Sequence, residues 1–428
     1  MKKFVCWVVG SLLVFSVAPA FASGYGVFTQ GAEGLGQANA VVAHATGPSS
    51  LYFNPALLPQ VPGTRIEVGT TMIYADREFK SDLTGQSENG DNSASFPSTF
   101  YATHQFNDEL SAGLGVYFPF GLSTEWDEDW EGRYIATKSD LFTVNFNPVV
   151  AYRPTEQLTV AAGLDVLYLD AELKRQVNSS LIGMILNPPG GFGPLPDAGQ
   201  KFTGDGWGVG YNLGLLLQIS EHVDFGATYR SHIDVDINDG DLKFSLPPGA
   251  AMLAPVLANT GGETNLRLPE QATFAIAWEA SEKLTLEVGA RWEDWSSTTQ
   301  LRIKLDQPVL GQSVDITPRD WDDTWAFNIG GKYQLNENVD LLAGYLYSDN
   351  PVPNPTFDPS IPDSDSHVFT IGTGLHFGAW TLDLAYGYEH HENRDKNNQI
   401  GLLTGSPANG EYSADNHLAA LSVGYQFP

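Results

Sequence analysis

Few residues in this chain are arranged for bond-making chemistry. Glu389-His390-His391-Glu392 has the side-chain types of a metal site, but adjacent histidines lack the ligand spacing such a site needs, and solvation at a strand end explains them better. Asp127-Glu128-Asp129 and Asp320, Asp322 and Asp323 could bridge divalent ions to anionic surface lipid, although plain loop solvation is the favoured reading. No Gly-x-Ser-x-Gly elbow, phosphate loop or dinucleotide fingerprint is present, so no catalytic residue, metal ligand or cofactor is assigned and no enzyme is expected. The chemistry that stands out is partition. Leu181, Ile182, Met184, Ile185 and Leu186 form an apolar run inside a long loop, with Trp126 and Trp130 placed in the preceding long loop to face it. A chain-like ligand gains about 0.8 kcal/mol for each CH2 it buries, so a groove lined this way would bind apolar molecules. Loops packing on each other would use the same residues, and the two uses are compatible.

The elements that must position these residues are legible in the composition and the polarity pattern. The 428 residues carry 51 acids against 22 bases, a formal charge of -29, and a nucleic-acid partner would need the opposite field. Past the N-terminus no run of about 18 apolar residues occurs, which excludes a helical membrane protein. From Leu141 to Tyr152 the side chains alternate instead: Phe142, Val144, Phe146, Val150 and Tyr152 on one face, Thr143, Asn145 and Asn147 on the other. This period of two marks strands with one apolar side. It recurs through Trp207–Ile219, Leu284–Trp292, Trp325–Leu335, Phe369–Phe377, Trp380–Glu389 and Leu421–Phe427. Segments of ten residues or so suit tilted strands crossing about 25 Å of lipid.

Connection length is the more discriminating signal. Short polar turns fall near 107–109, 154–156, 220–221, 281–282, 336–338 and 378–379. Long Gly/Pro/Asp-rich segments fall near 76–95, 122–139, 176–203, 237–263, 304–320, 348–366 and 391–411. Six short and seven long connections join fourteen strands, and short turns on one rim with long loops on the other are the pattern of outer-membrane β-barrels of Gram-negative bacteria. The expected fold class is therefore an all-β, fourteen-stranded antiparallel transmembrane barrel over residues 64–428.

Residues 1–22 read as a secretory leader, with Lys2 and Lys3, an apolar stretch from Phe4 to Val17 and the small-x-small site Ala20-Phe21-Ala22. Its removal would take away Cys6, the only cysteine, and two lysines, moving the charge from -29 to -31. Residues 23–63 do not alternate. Short helices are expected around Gly31–Gln37 and Ser49–Phe53, with Ser49 or Ser50 as a cap. A compact segment preceding the first strand is expected to fold up into the lumen as a hatch, because a barrel of this size is otherwise open to water; a disordered periplasmic tail is the alternative, disfavoured by its aromatics and low charge.

Several short motifs on strand ends resemble the FadL-type outer-membrane transporters of long-chain fatty acids and aromatic hydrocarbons. They are Asn54-Pro55-Ala56, Pro119-Phe120-Gly121-Leu122-Ser123-Thr124-Glu125, Leu268-Pro269-Glu270, Trp295-Ser296, and Pro351-Val352-Pro353 followed by Ile361-Pro362-Asp363. The resemblance implies a hatch in the lumen, a ligand groove among outer loops and sideways release into the membrane. It places Arg175 at one head-group position and Arg319 near a second, with a solvated ion pair among the many acids as the alternative for either, and Tyr25 where the family has Phe, lining the inner end of the pocket. It also implies that Asn54 contacts a kink in strand three. Pro119 and Gly121 support that kink independently: proline gives no ladder donor and glycine favours a bulge, although a strand end would also suit the proline. The expected partners are hydrophobic small molecules, outer-membrane lipid and lipopolysaccharide, with no nucleic acid and a monomeric barrel. The alternatives are a general diffusion porin and, behind it, an outer-membrane lipid hydrolase.

Overall fold

The computed structural model describes residues 24–45, 47–188 and 191–428; the expected leader at 1–22 lies outside them. Fourteen antiparallel strands among the described residues close into one ring. They are β1 Thr64–Ser81, β2 Ser98–Gln105, β3 Leu110–Tyr117 resumed as Gly121–Glu125, β4 Lys138–Thr155, β5 Leu158–Val177, β6 Ala198–Ser220 and β7 Val223–Arg230. The second half is β8 Gln271–Ser281, β9 Leu284–Glu293, β10 Thr324–Asn336, β11 Val339–Ser348, β12 Ser366–Phe377, β13 Trp380–His391 and β14 Gly410–Phe427. Each pairs with its sequence neighbours, and β14 returns to β1 with Phe427 opposite Thr64. A closed ring leaves no sheet edge unpaired in hydrocarbon.

The period-two pattern sorts the side chains as the sequence requires. On β4, Phe146, Val150 and Tyr152 are exposed on the outer face while Thr143, Asn145 and Asn147 are buried in the lumen. On β6, Trp207, Val209, Tyr211 and Leu213 are exposed and Asn212 is buried. No helix of the described residues is long and apolar enough to cross a membrane. The long connections are more ordered than loop composition suggests: Ile233–Ser245 pairs with Thr260–Leu268, and Gln300–Val309 with Gln312–Pro318, as hairpins above the ring.

Residues 24–45 and 47–63 pack inside the ring. They form two short helices, α1 Ala32–Gly36 and α2 Ser50–Phe53, then a 3-10 turn Pro55–Gln60. Ser49 stands before α2 but makes no side-chain cap; its N–H donates to Glu67. The cap that is made belongs to Asn54, whose Oδ1 accepts from Ala56 N at 3.0 Å with Pro55 at the first turn position, where a missing N–H costs nothing. Polar groups of the wall hold the segment. Glu287 on β9 accepts from the N–H groups of Val42 and Ala43 at 2.6 and 2.9 Å and lies 2.8 Å from His44 Nδ1. Asn328 donates to Ala38 O and Tyr101 to Gln30 O.

Glycines of the wall make this fit possible. A Cβ at Gly330 would lie 2.1 Å from Gln37 O, and one at Gly344 2.4 Å from Gln37 C. Any side chain there would push on hatch backbone, which has nowhere to go in a filled lumen. Gly330→Val is expected to lower stability by about 1–3 kcal/mol, seen as a lower melting temperature, and to raise ion conductance in planar bilayers by displacing the hatch. Gly199→Ala, whose Cβ would sit at an ordinary 3.5 Å from Ser245, should change neither. Unaltered melting and conductance for Gly330→Val would contradict this packing.

Candidate functional site

The wall breaks in β3. Tyr117 pairs with Asn145 of β4 and Gly121 with Phe142, so three residues, 118–120, oppose two, 143–144. On its other edge β3 pairs with β2 only as far as Val116 opposite Phe100. Pro119 carries no N–H and cannot continue the ladder. The remaining backbone groups find substitutes. Thr143 Oγ1 accepts from Phe120 N at 3.2 Å and donates to Phe120 O at 2.5 Å. Gln30 Nε2 donates to Phe118 O at 2.7 Å. Val27 N–H donates to Pro119 O at 2.9 Å, and Gly121 N–H donates to Tyr25 O at 2.8 Å. The N-terminal segment Tyr25–Val27 is thus a short strand added to the open edge, with Gly26 and Phe120 facing each other in an antiparallel bridge.

Beside the break lies a cavity of about 260 Å³. Its apolar wall includes Tyr25, Leu122, Leu141, Ile237, Phe202 and Trp321. Tyr25 packs edge-on to Trp295 with ring centres 4.7 Å apart, and meets Trp321 at 5.7 Å and Phe120 at 6.3 Å. Burial pushes its phenol up to about 12, so it stays neutral. Arg319 also lines the cavity and is ion-paired: Nη1 donates to Asp358 Oδ2 at 2.8 Å and Nη2 to Ser360 Oγ at 3.2 Å.

Tyr25 and Arg319 are therefore brought together, and Phe120 and Gly121 meet Tyr25 at the break. Other expected ligand residues lie elsewhere. Arg175 forms an ion pair with Asp315 of the outer hairpin at 2.8 Å and does not line the cavity. Trp126 and Trp130 stack on each other at 4.6 Å, buried against Phe79 and Tyr412, with both indole N–H groups donating to backbone carbonyls. They form loop core. Leu181, Ile182 and Ile185 lie on a third helix, α3 Ser179–Leu186; Ile182 packs against Ala198, Ala250 and Leu253, while Ile185 is 70% exposed. None of the three lines the cavity.

The hydrogen bonds of Asn54 do not run to the break. Its Nδ2 donates to Val42 O at 2.8 Å and Leu215 O of β6 at 3.0 Å, clamping the hatch to the wall on that side, with Pro55 and Ala56 beside it. The contact with the break belongs to Tyr25, Val27 and Gln30, in a stretch without periodicity. Trp295, Trp321 and Asp358 were also not assigned from sequence. A lone tryptophan between Asp320 and Asp322 was the available signal for Trp321.

A family model described as outer membrane protein transport protein (OMPP1/FadL/TodX) matches residues 13–427. The chain is 28% identical over 399 residues to a long-chain fatty acid transport protein of Escherichia coli, covering 87% of each. It is 24% identical over 472 residues to outer membrane protein P1 of Haemophilus influenzae, covering 100% of each. A FadL homologue from Pseudomonas aeruginosa shares the fold with a TM-score of 0.82 at 20% identity, covering 95% of this chain and 100% of that one. The P. putida toluene transporter TodX does so with 0.73 at 19%, covering 93% and 98%. A closed barrel with a cavity beside a broken third strand, matched over nearly its whole length by one family model, this chain belongs to the OMPP1/FadL/TodX family of outer membrane transport proteins.

Proposed function

We propose that this barrel passes hydrophobic compounds, of the kinds for which its relatives are named, from the cell exterior into the outer membrane through the break in β3. One observation carries the reading: Tyr25 is both a wall of the cavity and a backbone partner that closes the break. A molecule entering the cavity competes with the Tyr25 ring for Trp321, and shifting that ring shifts the carbonyl that accepts from Gly121. The edge of β3 then loses its partner, and an apolar molecule can leave sideways where backbone alone would be costly to expose. Passive exit needs no cofactor, since transfer from cavity to lipid keeps apolar surface buried throughout. A general diffusion porin fits less well, because the hatch occupies the lumen.

The outer end of the segment is held by a loop acid. Asp363, between β11 and β12, accepts from Gly24 N on Oδ2 at 2.7 Å and from Ser364 N on Oδ1 at 2.9 Å. Burial pushes its carboxyl up to about 6, against the opposing pull of His391, the two N–H groups and Arg394. An acid raised in the folded state contributes stability fully present below its unfolded value near 3.9 and lost as pH rises through about 6. The pH-dependent part is on the order of 2–3 kcal/mol. The gap in melting temperature between wild type and Asp363→Ala should therefore be wider at pH 4 than at pH 8. A gap that widens towards pH 8 would contradict the buried latch.

Gly26→Cys combined with Phe120→Cys joins the segment to the break across the observed bridge. Oxidation should cut uptake of a radiolabelled hydrophobic substrate at least tenfold, and reductant should restore it. Uptake that is indifferent to the cross-link, with the disulfide verified by mass, would rule out exit through this gap.

A further inference from the structure

The polar atoms of the cavity indicate what kind of molecule it accepts, given the reading above that the cavity is the ligand site. Two cations line it, and both are committed. Arg319 is paired with Asp358, and both are buried; Asp358 Oδ1 in turn accepts from Ser360 N at 2.8 Å. Arg267 forks onto Asp234 through Nε and Nη2 at 2.8 and 3.0 Å. The remaining charged lining residue is another acid, Asp140. The lysine nearest it, Lys138 at 3.8 Å, is shared with Glu125 at 3.2 Å and Glu172 at 3.9 Å. An incoming carboxylate would shed its water and meet no uncommitted positive charge, the situation in which a buried ion is most costly.

The atoms left over point the other way. Trp321 and Thr264 line the cavity, and Trp321 Nε1 and Thr264 Oγ1 are buried with no hydrogen-bond partner among the described residues. An indole N–H can only donate, and a hydroxyl can donate as well as accept, so both are served by a neutral acceptor oxygen. Asp140 Oδ1, also buried without a partner among the described residues, can accept a hydrogen bond from a ligand hydroxyl.

We propose that the cavity selects uncharged apolar molecules bearing one hydrogen-bonding oxygen, such as an alcohol or ketone, over carboxylates of the same chain length. Arg319 and Asp358 together act as a neutral polar floor, and Asp358 is the residue that sets the preference by cancelling Arg319. A fatty acid would then bind best in its protonated form.

The test uses the purified barrel in lipid nanodiscs and bromine-tagged undecyl chains ending in hydroxyl, carboxylate or ammonium, at pH 8. Bromine quenches tryptophan on contact. The relevant signal is the quench lost in a Trp295→Phe, Trp321→Phe double variant, corrected for partition into the lipid. The alcohol should bind about tenfold tighter than the carboxylate or the amine, a difference a single buried unpaired charge readily produces. Asp358→Asn should raise carboxylate affinity about tenfold and leave the alcohol unchanged, while the wild-type ranking stands whether or not that variant folds. Carboxylate or amine binding as tightly as alcohol would overturn the selectivity while leaving the cavity as the ligand site. No cavity-specific quench by any of the three would overturn both.

Discussion

Backbone inside a bilayer has to be hydrogen-bonded by protein, because hydrocarbon offers nothing in exchange. The third strand violates its own ladder at Phe118, Pro119 and Phe120, and the structure around it is organised to repay that violation. Thr143 replaces ladder bonds on the β4 side, while Gln30, Val27 and Tyr25 supply the other side from within the lumen. A proline in an uninterrupted strand would simply weaken it. Here the partner of the broken edge is a segment that is not itself a strand of the ring, so under the proposed release the closure can be made and unmade while the other strands stay paired.

That arrangement makes demands elsewhere. The added segment has to be held at a fixed height, which explains why the lumen is polar and filled. Glu287 takes two hatch N–H groups, Asn54 clamps the hatch to β6, and Asp363 holds the outer end at Gly24. Inward glycines on β10 and β11 give the hatch backbone room against the wall. Acidic side chains that give the chain its charge of -29 thus do two kinds of work: loops stay solvated, and a few buried carboxylates collect backbone N–H groups. The lipid face takes almost none of them, which keeps alternation clean enough to read.

The architecture was legible because a period of two and the alternation of short and long connections are local properties. Strand number and closure follow from them, the chemistry of Pro119 and Gly121 supported a break, and the motif resemblance pointed to Tyr25 and Arg319. Contacts made across the ring were not legible. Resemblance places Arg175 at a head-group position and an ion pair is its alternative, but the partner Asp315 lies 140 positions away on a hairpin that composition alone presents as loop. Trp126 and Trp130 read as groove residues, but two indoles that stack and also find carbonyls are worth more as loop core. Asn54 was assigned to the break by resemblance, whereas its geometry is that of a turn cap tied to the neighbouring wall. Segment Tyr25–Val27 has no periodicity at all, since its strand character exists only through the edge it completes.

The central claim is that a ligand opens the break by drawing Tyr25 away from Gly121. Hydrogen exchange at the Gly121 amide reads this directly, since that N–H donates to Tyr25 O and lies in the wall rather than in the cavity. In the absence of ligand the amide should exchange slowly. Saturation with a hydrophobic ligand should speed its exchange while amides of β10–β13 keep their protection. Protection at Gly121 that is unchanged or increased on saturation would contradict the account.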